Sequence, residues 1–154
     1  MPPEPARPEA PPADEPRFTR WPWWRRWFGR RSERAAAKFL RSLGYRVLAA
    51  NVSDPAGELD LLALDGETLV VVEVRSTASD RPDALENTAA SVDLRKQRKI
   101  TGATLRFLAA RKLLGKIAVR FDVLVLSWPP GASEPTVQHI PHAFEATGQF
   151  QMFS

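Results

Sequence analysis

Residues 57–76 read GELDLLALDGETLVVVEVRS, and this stretch decides the fold. Two runs rich in Leu and Val flank Asp65-Gly66, a dipeptide that favours a two-residue turn between antiparallel strands. Such a turn places Asp60 opposite Val71 on the neighbouring strand. The stretch therefore predicts a β-hairpin whose strands are apolar enough to be buried and yet carry acidic residues.

Four charged residues are predicted to share one face of this hairpin. Glu73 becomes the diagonal neighbour of Asp60, with Cβ atoms roughly 7–8 Å apart, and Glu58 and Arg75 fall on the same face. An unpaired charge among apolar side chains is costly, so these acids must be paired or bound to a metal. Two interpretations stay open. Either Arg75 or Arg120 neutralises the carboxylates, or they form a site for a hard cation such as Mg²⁺, which needs neither Cys nor His.

The hairpin is flanked by patterns typical of two helices and three further strands. Apolar residues recur at helical spacing after Ser32 and after Ser91, both suitable N-caps, and Gly44 favours the end of the first helix. The predicted order is a helix at 32–43, a strand at 45–51, the hairpin, a polar loop at 76–90, a helix from Ser91 to about Leu114, a strand at 118–128 and a short strand near 136–140. The strand at 118–128 is apolar on both faces, which favours an interior position. The fold class is therefore α/β, with helices packed on a mixed sheet.

The formal net charge of +4 lies mostly in the N-terminal segment. Residues 1–31 carry seven Arg and four acids, whereas the remaining residues carry 15 basic and 14 acidic side chains. Residues 1–16 are rich in Pro and are expected to be disordered. Residues 17–31 contain four of the five Trp and six Arg. Three interpretations of that segment stay open: docking on the domain, anchoring at a membrane surface, and binding of nucleic acid.

The composition excludes several classes of function. There is no Cys, which rules out disulfide scaffolds, thiol nucleophiles and Cys-based zinc sites. With only His139 and His142 present, a His-rich metal site is not expected. No apolar run approaches the ~20 residues that a membrane span needs, and the N-terminus lacks the apolar region of a secretory signal. We therefore expect a cytoplasmic protein with one domain at 32–145 and a short C-terminal tail at 146–154.

Four segments together resemble the YraN family of proposed endonucleases. They read SERAAAKFLRSLGYRVLAAN, GELDLLALDGETLVVVEVRS, DLRKQRKI and VRFDVLVL, and they span roughly residues 31–142 in order and spacing. The resemblance implies a restriction-endonuclease-like fold with an αβββαβ core, related to that of Holliday-junction resolvases. It also implies hydrolysis of phosphodiester bonds in DNA, branched DNA included, with Mg²⁺ or Mn²⁺ as cofactor. Resolvase-like relatives would further imply a homodimer.

The resemblance assigns roles to three acids. In that fold the metal ligands are an acid on the second strand and the acid of a (D/E)-x-K motif on the third, and these positions match Asp60 and Glu73. The helical acid of the family matches Glu33. From the residues alone, Glu33 reads equally well as an acid in the first turn of a helix, where the dipole favours it by about 0.3–1 kcal/mol.

Arg75 stands where the family pattern has lysine. A buried lysine can lose a proton and help to activate water, whereas the pKa of arginine stays above about 12. Arg75 can still bind a phosphate or stabilise charge in a transition state. The alternative to a nuclease is therefore a catalytically inactive nucleic-acid-binding module with the same fold.

A run of basic residues, RKQRK at 95–99, begins the second predicted helix. Such a run is most often a solvated helix face, but the N-terminus of a helix also suits phosphate. The resemblance places Lys96 and Gln97 at the Lys-Gln positions of the family. Together with Lys99, they are expected to contact the nucleic-acid backbone. Lys96 and Lys99 also offer a route by which an ammonium group reaches the acidic site.

Overall fold

The structure, a computed structural model, describes residues 31–146. Within that range the chain forms α1 (Arg31–Ser42), β1 (Arg46–Asp54), β2 (Gly57–Asp65), β3 (Thr68–Thr77), α2 (Pro82–Ala90), α3 (Leu94–Ala110), β4 (Ala118–Ser127) and β5 (Thr136–Phe144). This mixed α/β architecture confirms the predicted fold class and is consistent with a restriction-endonuclease-like core. The predictions for residues 1–16 and for most of the Arg- and Trp-rich segment lie outside the described residues.

The five strands form one sheet in the order β1-β2-β3-β4-β5. Only β3 and β4 are parallel within the described sheet, and the other neighbours are antiparallel. Parallel neighbours need a crossover connection, which α2 and α3 supply. β4 is buried along most of its length and has a neighbour on each side. Its predicted interior position is therefore confirmed.

The register of the β2–β3 hairpin differs from the predicted one by two residues. The turn residues are Gly66 and Glu67, so the pairing aligns Asp60 with Glu73 and not with Val71. Gly66 has a φ of +58°, which suits the first central position of a type II′ turn. Since side chains alternate along a strand, a shift of two residues keeps the two acids on one face. The prediction of a diagonal pair was wrong, and the acids are direct neighbours.

The second predicted helix is shorter than expected, and a further helix precedes it. The prediction that Ser91 caps it is wrong, because Asp93 is the N-cap of α3 and accepts a hydrogen bond of 2.9 Å from the Lys96 N–H. α3 ends at Ala110, before the predicted end at Leu114. The predicted polar loop contains α2, which has no buried residue and therefore gives no apolar stripe to detect.

Of the two predictions made for the ends of α1, the one for its C-terminus is confirmed and the one for its N-terminus is wrong. Gly44 ends the helix as predicted, with a φ of +85° and the paired hydrogen bonds of a Schellman motif, Gly44 N–H to Arg41 and Tyr45 N–H to Leu40. The prediction that Ser32 is the N-cap is wrong, because the helix already includes Arg31. The hydroxyl of Ser32 instead contacts other elements.

Two apolar cores lie on opposite faces of the sheet. One packs α2 and α3 on the sheet, with Leu69, Val71 and Phe107 among its members. The other packs α1 on the opposite face, with Leu40 and Val72 among its members. In residues 31–146, no helix is long and apolar enough to cross a bilayer.

Asp122 is the fully buried acid of β4, and its partners are Arg120 on the same strand and two residues of β5. It accepts from Arg120 Nε at 2.9 Å and from the His142 N–H at 3.1 Å, and it pairs with His139 Nε2 at 2.7 Å. Arg120 also donates to Tyr45 and to Asp65. This network ties β4 to β5, β2 and the segment after α1.

We expect Asp122→Ala to lower the free energy of unfolding by about 3 kcal/mol, because it leaves the guanidinium of Arg120 without its main partner. Urea denaturation measures this change. The matched control is Asp83→Ala, which breaks an ion pair with Arg81 whose side chains are both mostly exposed, and its effect should stay below about 1 kcal/mol. Equal losses in the two variants would show that the Asp122 network adds no stability.

Candidate active site

Asp60 and Glu73 lie side by side at the point where the pairing of β2 with β3 ends. The last backbone pair of that ladder is Leu61 with Val72. Beyond it, the Asp60 carboxylate accepts a hydrogen bond of 2.9 Å from the Val74 N–H. The carboxyl groups of Asp60 and Glu73 are also hydrogen-bonded to each other. The β2–β3 pairing therefore ends at one buried acid, Glu73, and one partly buried acid, Asp60.

Burial and mutual repulsion make these acids hard to ionise. Burial, followed by the charge of Asp60, raises the pKa of Glu73 from 4.5 to about 8. Burial also raises the pKa of Asp60, and the hydrogen bonds from Val74 and Glu73 oppose that rise. At neutral pH the pair therefore shares one proton between its two carboxyl groups.

Two cations approach Glu73 from different elements. Arg75 Nη2 lies 3.6 Å from Glu73 Oε1, and Lys96 Nζ lies 3.4 Å from the same oxygen. Both side chains are about one-third exposed, so their cationic ends reach solvent at the mouth of the site. The Nε atom of Arg75 is buried and has no hydrogen-bond partner among the described residues. A guanidinium with an unused donor beside two acids is suited to bind an additional anion.

Lys96 is presented to the site by the start of α3. Asp93 fixes the first turn of that helix as its N-cap, and Gln97 Nε2 donates to the Val92 carbonyl at 3.0 Å. The expectation that a lysine of this helix reaches the acidic site is thus met by Lys96. Lys99 is exposed on the same helix. Nothing tests whether Lys96, Gln97 and Lys99 bind nucleic acid, which stays a prediction.

Glu33 approaches from α1 and is also buried, with 5% of its surface exposed. Its Oε2 accepts a hydrogen bond of 2.9 Å from Asn51 Nδ2 on β1. The negative charge of Glu33 is near enough to Asp60 to raise the pKa of that carboxyl. Asn51 was not predicted as a site residue, because it ended the predicted strand at 45–51 and a polar residue there carries no signal of function.

Glu58 differs from the other residues of the predicted cluster. It pairs with Ser53 in the β1–β2 ladder and its side chain is exposed. It therefore lies outside the part of the cluster that is shielded from solvent. The charged cluster is formed by acids from β2, β3 and α1 and by cations from β3 and α3.

The donor set fits a hard cation through two carboxylates. Across residues 31–146, no three side chains among His, Asp and Glu lie close enough to hold a metal ion as a group. Mg²⁺, however, usually takes one or two carboxylates and completes its octahedral shell with waters and substrate phosphate. Asp60 and Glu73 meet that requirement, and a divalent cation would replace the shared proton and relieve the repulsion between them.

Residues 32–126 match the sequence model of UPF0102, described as an uncharacterised protein family. The chain belongs to the UPF0102 family. This is the YraN family, so the resemblance stated from the sequence is confirmed.

UPF0102 relatives from several bacteria match most of this chain. A UPF0102 protein of Rhodopirellula baltica is 46% identical over 123 residues, which cover 78% of this chain and 71% of the relative. One of Bordetella avium is 39% identical over 126 residues, covering 79% and 84%. One of Stutzerimonas stutzeri is 41% identical over 118 residues, covering 77% and 94%. These relatives are named only as UPF0102 proteins.

The raised pKa of Glu73 makes the stability of this UPF0102 domain depend on pH. The folded state binds more protons than the unfolded state between pH 4.5 and about 8, so the free energy of unfolding falls as the pH rises through this window. We expect Glu73→Gln to remove that loss. The variant should exceed the wild type by at least about 1 kcal/mol, or roughly 4 °C in Tm, at pH 9.

The measurement is thermal unfolding without divalent cations at pH 4.5 and pH 9. The gain should shrink at pH 4.5, where the folded wild type keeps Glu73 protonated and loses no stability through its ionisation. Glu86→Gln, at an exposed position on α2, is the control. A gain of equal size at both pH values would contradict the raised pKa.

Proposed function

We propose that this protein is a metal-dependent endonuclease that hydrolyses phosphodiester bonds in DNA, with Mg²⁺ or Mn²⁺ held by Asp60 and Glu73. The observation that carries this proposal is the carboxylate pair itself, in which Glu73 is buried and Asp60 is partly buried. Two acids in contact, with pKa values raised by burial and by each other, are a feature of functional sites. The family assignment and the restriction-endonuclease-like core support the same reaction class.

The contrast with Asp122 supports a functional role for the pair. Asp122 is fully buried and receives hydrogen bonds or ion pairs from Arg120, His139 and His142. A buried acid with such partners is structurally satisfied. Asp60 and Glu73 spend part of their hydrogen-bonding capacity on each other, which lowers the stability of the folded protein at neutral pH. Such a cost is expected where function requires negative charge.

A divalent cation bound here would lower the pKa of a bound water and neutralise charge that develops on the phosphate. The residues of the chain supply the remaining functions. Arg75, whose side chain is about one-third exposed, would supply positive charge to a phosphate group. Lys96 adds a second positive charge at the mouth of the site. Both cations would orient the DNA backbone without reading its sequence.

A specific observation favours a second candidate, a DNA-binding module without cleavage. Arg75 replaces the motif lysine and cannot exchange a proton, so it cannot activate water as that lysine would. This candidate is supported if the protein binds DNA in a salt-dependent manner with no metal-stimulated cleavage. If Arg75→Lys then produces cleavage, the site is an inactivated nuclease site.

Cleavage of branched, flapped and linear DNA in Mg²⁺ or Mn²⁺ tests the proposed nuclease. We expect Asp60→Asn and Glu73→Gln each to reduce the rate by at least about 100-fold, because each removes a carboxylate charge on which the cation depends. Glu58→Gln is the matched control, since Glu58 lies on β2 like Asp60 but its side chain is exposed. Cleavage that survives the double variant Asp60→Ala, Glu73→Ala would overturn the proposal.

DNA affinity measured against salt concentration tests Lys96. We expect Lys96→Gln to weaken binding uniformly across DNA sequences and to reduce the slope of log K against log [salt] by about 1, because it removes one phosphate contact. Lys112→Gln, in the exposed loop after α3, is the control and should leave the slope unchanged. An unchanged slope for Lys96→Gln would show that Lys96 serves only as an ion-pair partner of Glu73.

A further inference from the structure

We infer that Asn51 is a positioning residue that holds Glu33 beside the cation site, where Glu33 serves as an acceptor for the waters of the bound cation. This inference rests on the proposed function and deepens it. It gives a role to Glu33, a buried acid that lies near Asp60 and Glu73 but is not a third direct ligand.

The backbone of β1 is distorted at Asn51. In the β1–β2 ladder, Ala50 pairs with Leu61 and Val52 pairs with Leu59, so Asn51 is aligned with Asp60 between them. Asn51 has a φ of +50°, a left-handed conformation that non-glycine residues rarely adopt and that Asn tolerates better than most. The distortion therefore lies directly beside one of the two carboxylates.

The side chain of Asn51 uses this position to reach Glu33. Its Nδ2 donates to Glu33 Oε2 at 2.9 Å, and Glu33 is almost completely buried. On the other side, the first turn of α1 is fixed by Ser32, whose Oγ lies 2.5 Å from Ser76 Oγ and accepts a 3.0 Å hydrogen bond from Trp128 Nε1. The carboxylate of Glu33 is thus held by its neighbour on β1 and by the anchoring of its own helix.

The hydrogen-bond partner of Glu33 is the neutral amide of Asn51 and not a cation. An arginine or lysine would neutralise Glu33, whereas the amide of Asn51 donates a hydrogen bond and adds no charge. Asn51 therefore holds Glu33 near Asp60 without supplying a countercharge. A carboxylate held in this way can accept hydrogen bonds from the waters of a cation.

Glu33 is placed to contact a bound cation through the waters of that cation and not as a direct ligand. Glu33, Asp60 and Glu73 do not form a group of three metal ligands in the described part of the chain. Mg²⁺ gives up its waters reluctantly and keeps several of them in protein sites, and a nearby carboxylate can accept hydrogen bonds from those waters. Partners of this kind typically contribute 10- to 100-fold to metal affinity.

The test is a Mn²⁺ titration of the full chain without DNA, followed by the electron paramagnetic resonance signal of free Mn²⁺. Asn51→Gly removes the amide but keeps the left-handed backbone accessible. We expect it to weaken Mn²⁺ binding about 10-fold. Lys112→Gly is the matched control, since Lys112 also has a positive φ, +56°, in a loop at the end of α3, and it should leave the affinity unchanged.

A double-mutant cycle with Glu33→Gln shows whether Asn51 acts through Glu33. Glu33→Gln alone should weaken binding about 10-fold, and Asn51→Gly should add almost nothing in that background. Independent losses that multiply would overturn the inference, as would an unchanged affinity in either single variant. If Asn51→Gly does not fold, as judged by circular dichroism, Asn51→Asp takes its place in the cycle, because Asp tolerates the left-handed backbone and its carboxylate cannot donate to Glu33.

The proposed function fails in a different way. Mn²⁺ binding that survives both Asp60→Asn and Glu73→Gln would overturn the cation site and the inference with it. Binding that is lost in those variants but unchanged in Asn51→Gly would overturn only the role of Asn51.

Discussion

The parallel pairing of β3 with β4 is the constraint on which the rest of this structure depends. It runs without interruption from Thr68–Ala118 to Thr77–Ser127. Two parallel neighbours cannot be joined by a tight turn, so the chain must cross the face of the sheet, and α2 and α3 form that crossover. The same crossover covers one core and brings the start of α3, with Lys96, over Glu73.

The site forms where the pairing of β2 with β3 ends while the parallel pairing of β3 with β4 continues. β3 continues beside β4 after its pairing with β2 has stopped at Val72. The freed N–H of Val74 is taken up by the Asp60 carboxylate. The acids are therefore held by backbone geometry on strands with buried neighbours, which gives the precision that a cation site requires.

Stability and function make opposite demands on these buried charges. At Asp122 the chain supplies a guanidinium, an imidazole and a backbone N–H, and the burial of that charge strengthens the sheet. At Asp60 and Glu73 two acids lie in contact, and burial together with the charge of Asp60 raises the pKa of Glu73 to about 8. The free energy that the first network contributes offsets part of what the second one costs.

The sequence by itself determined the mixed sheet, the order of the described helices and strands except α2, and the placement of the two acids on one face. These follow from local patterns: apolar runs, a turn dipeptide and the alternation of side chains along a strand. That alternation explains why Asp60 and Glu73 share a face even though the predicted register was two residues off. The family resemblance marked the same acids and Glu33, and the matches to UPF0102 confirm the family.

Only the tertiary structure decided which residues surround those acids. The approach of Lys96, the hydrogen bond from Asn51 to Glu33 and the exposure of Glu58 depend on contacts between elements distant in sequence. Local spacing carries no information about such contacts, because they are set by how the helices pack on the sheet. The raised pKa values have the same origin, since burial and neighbouring charge exist only in the folded state.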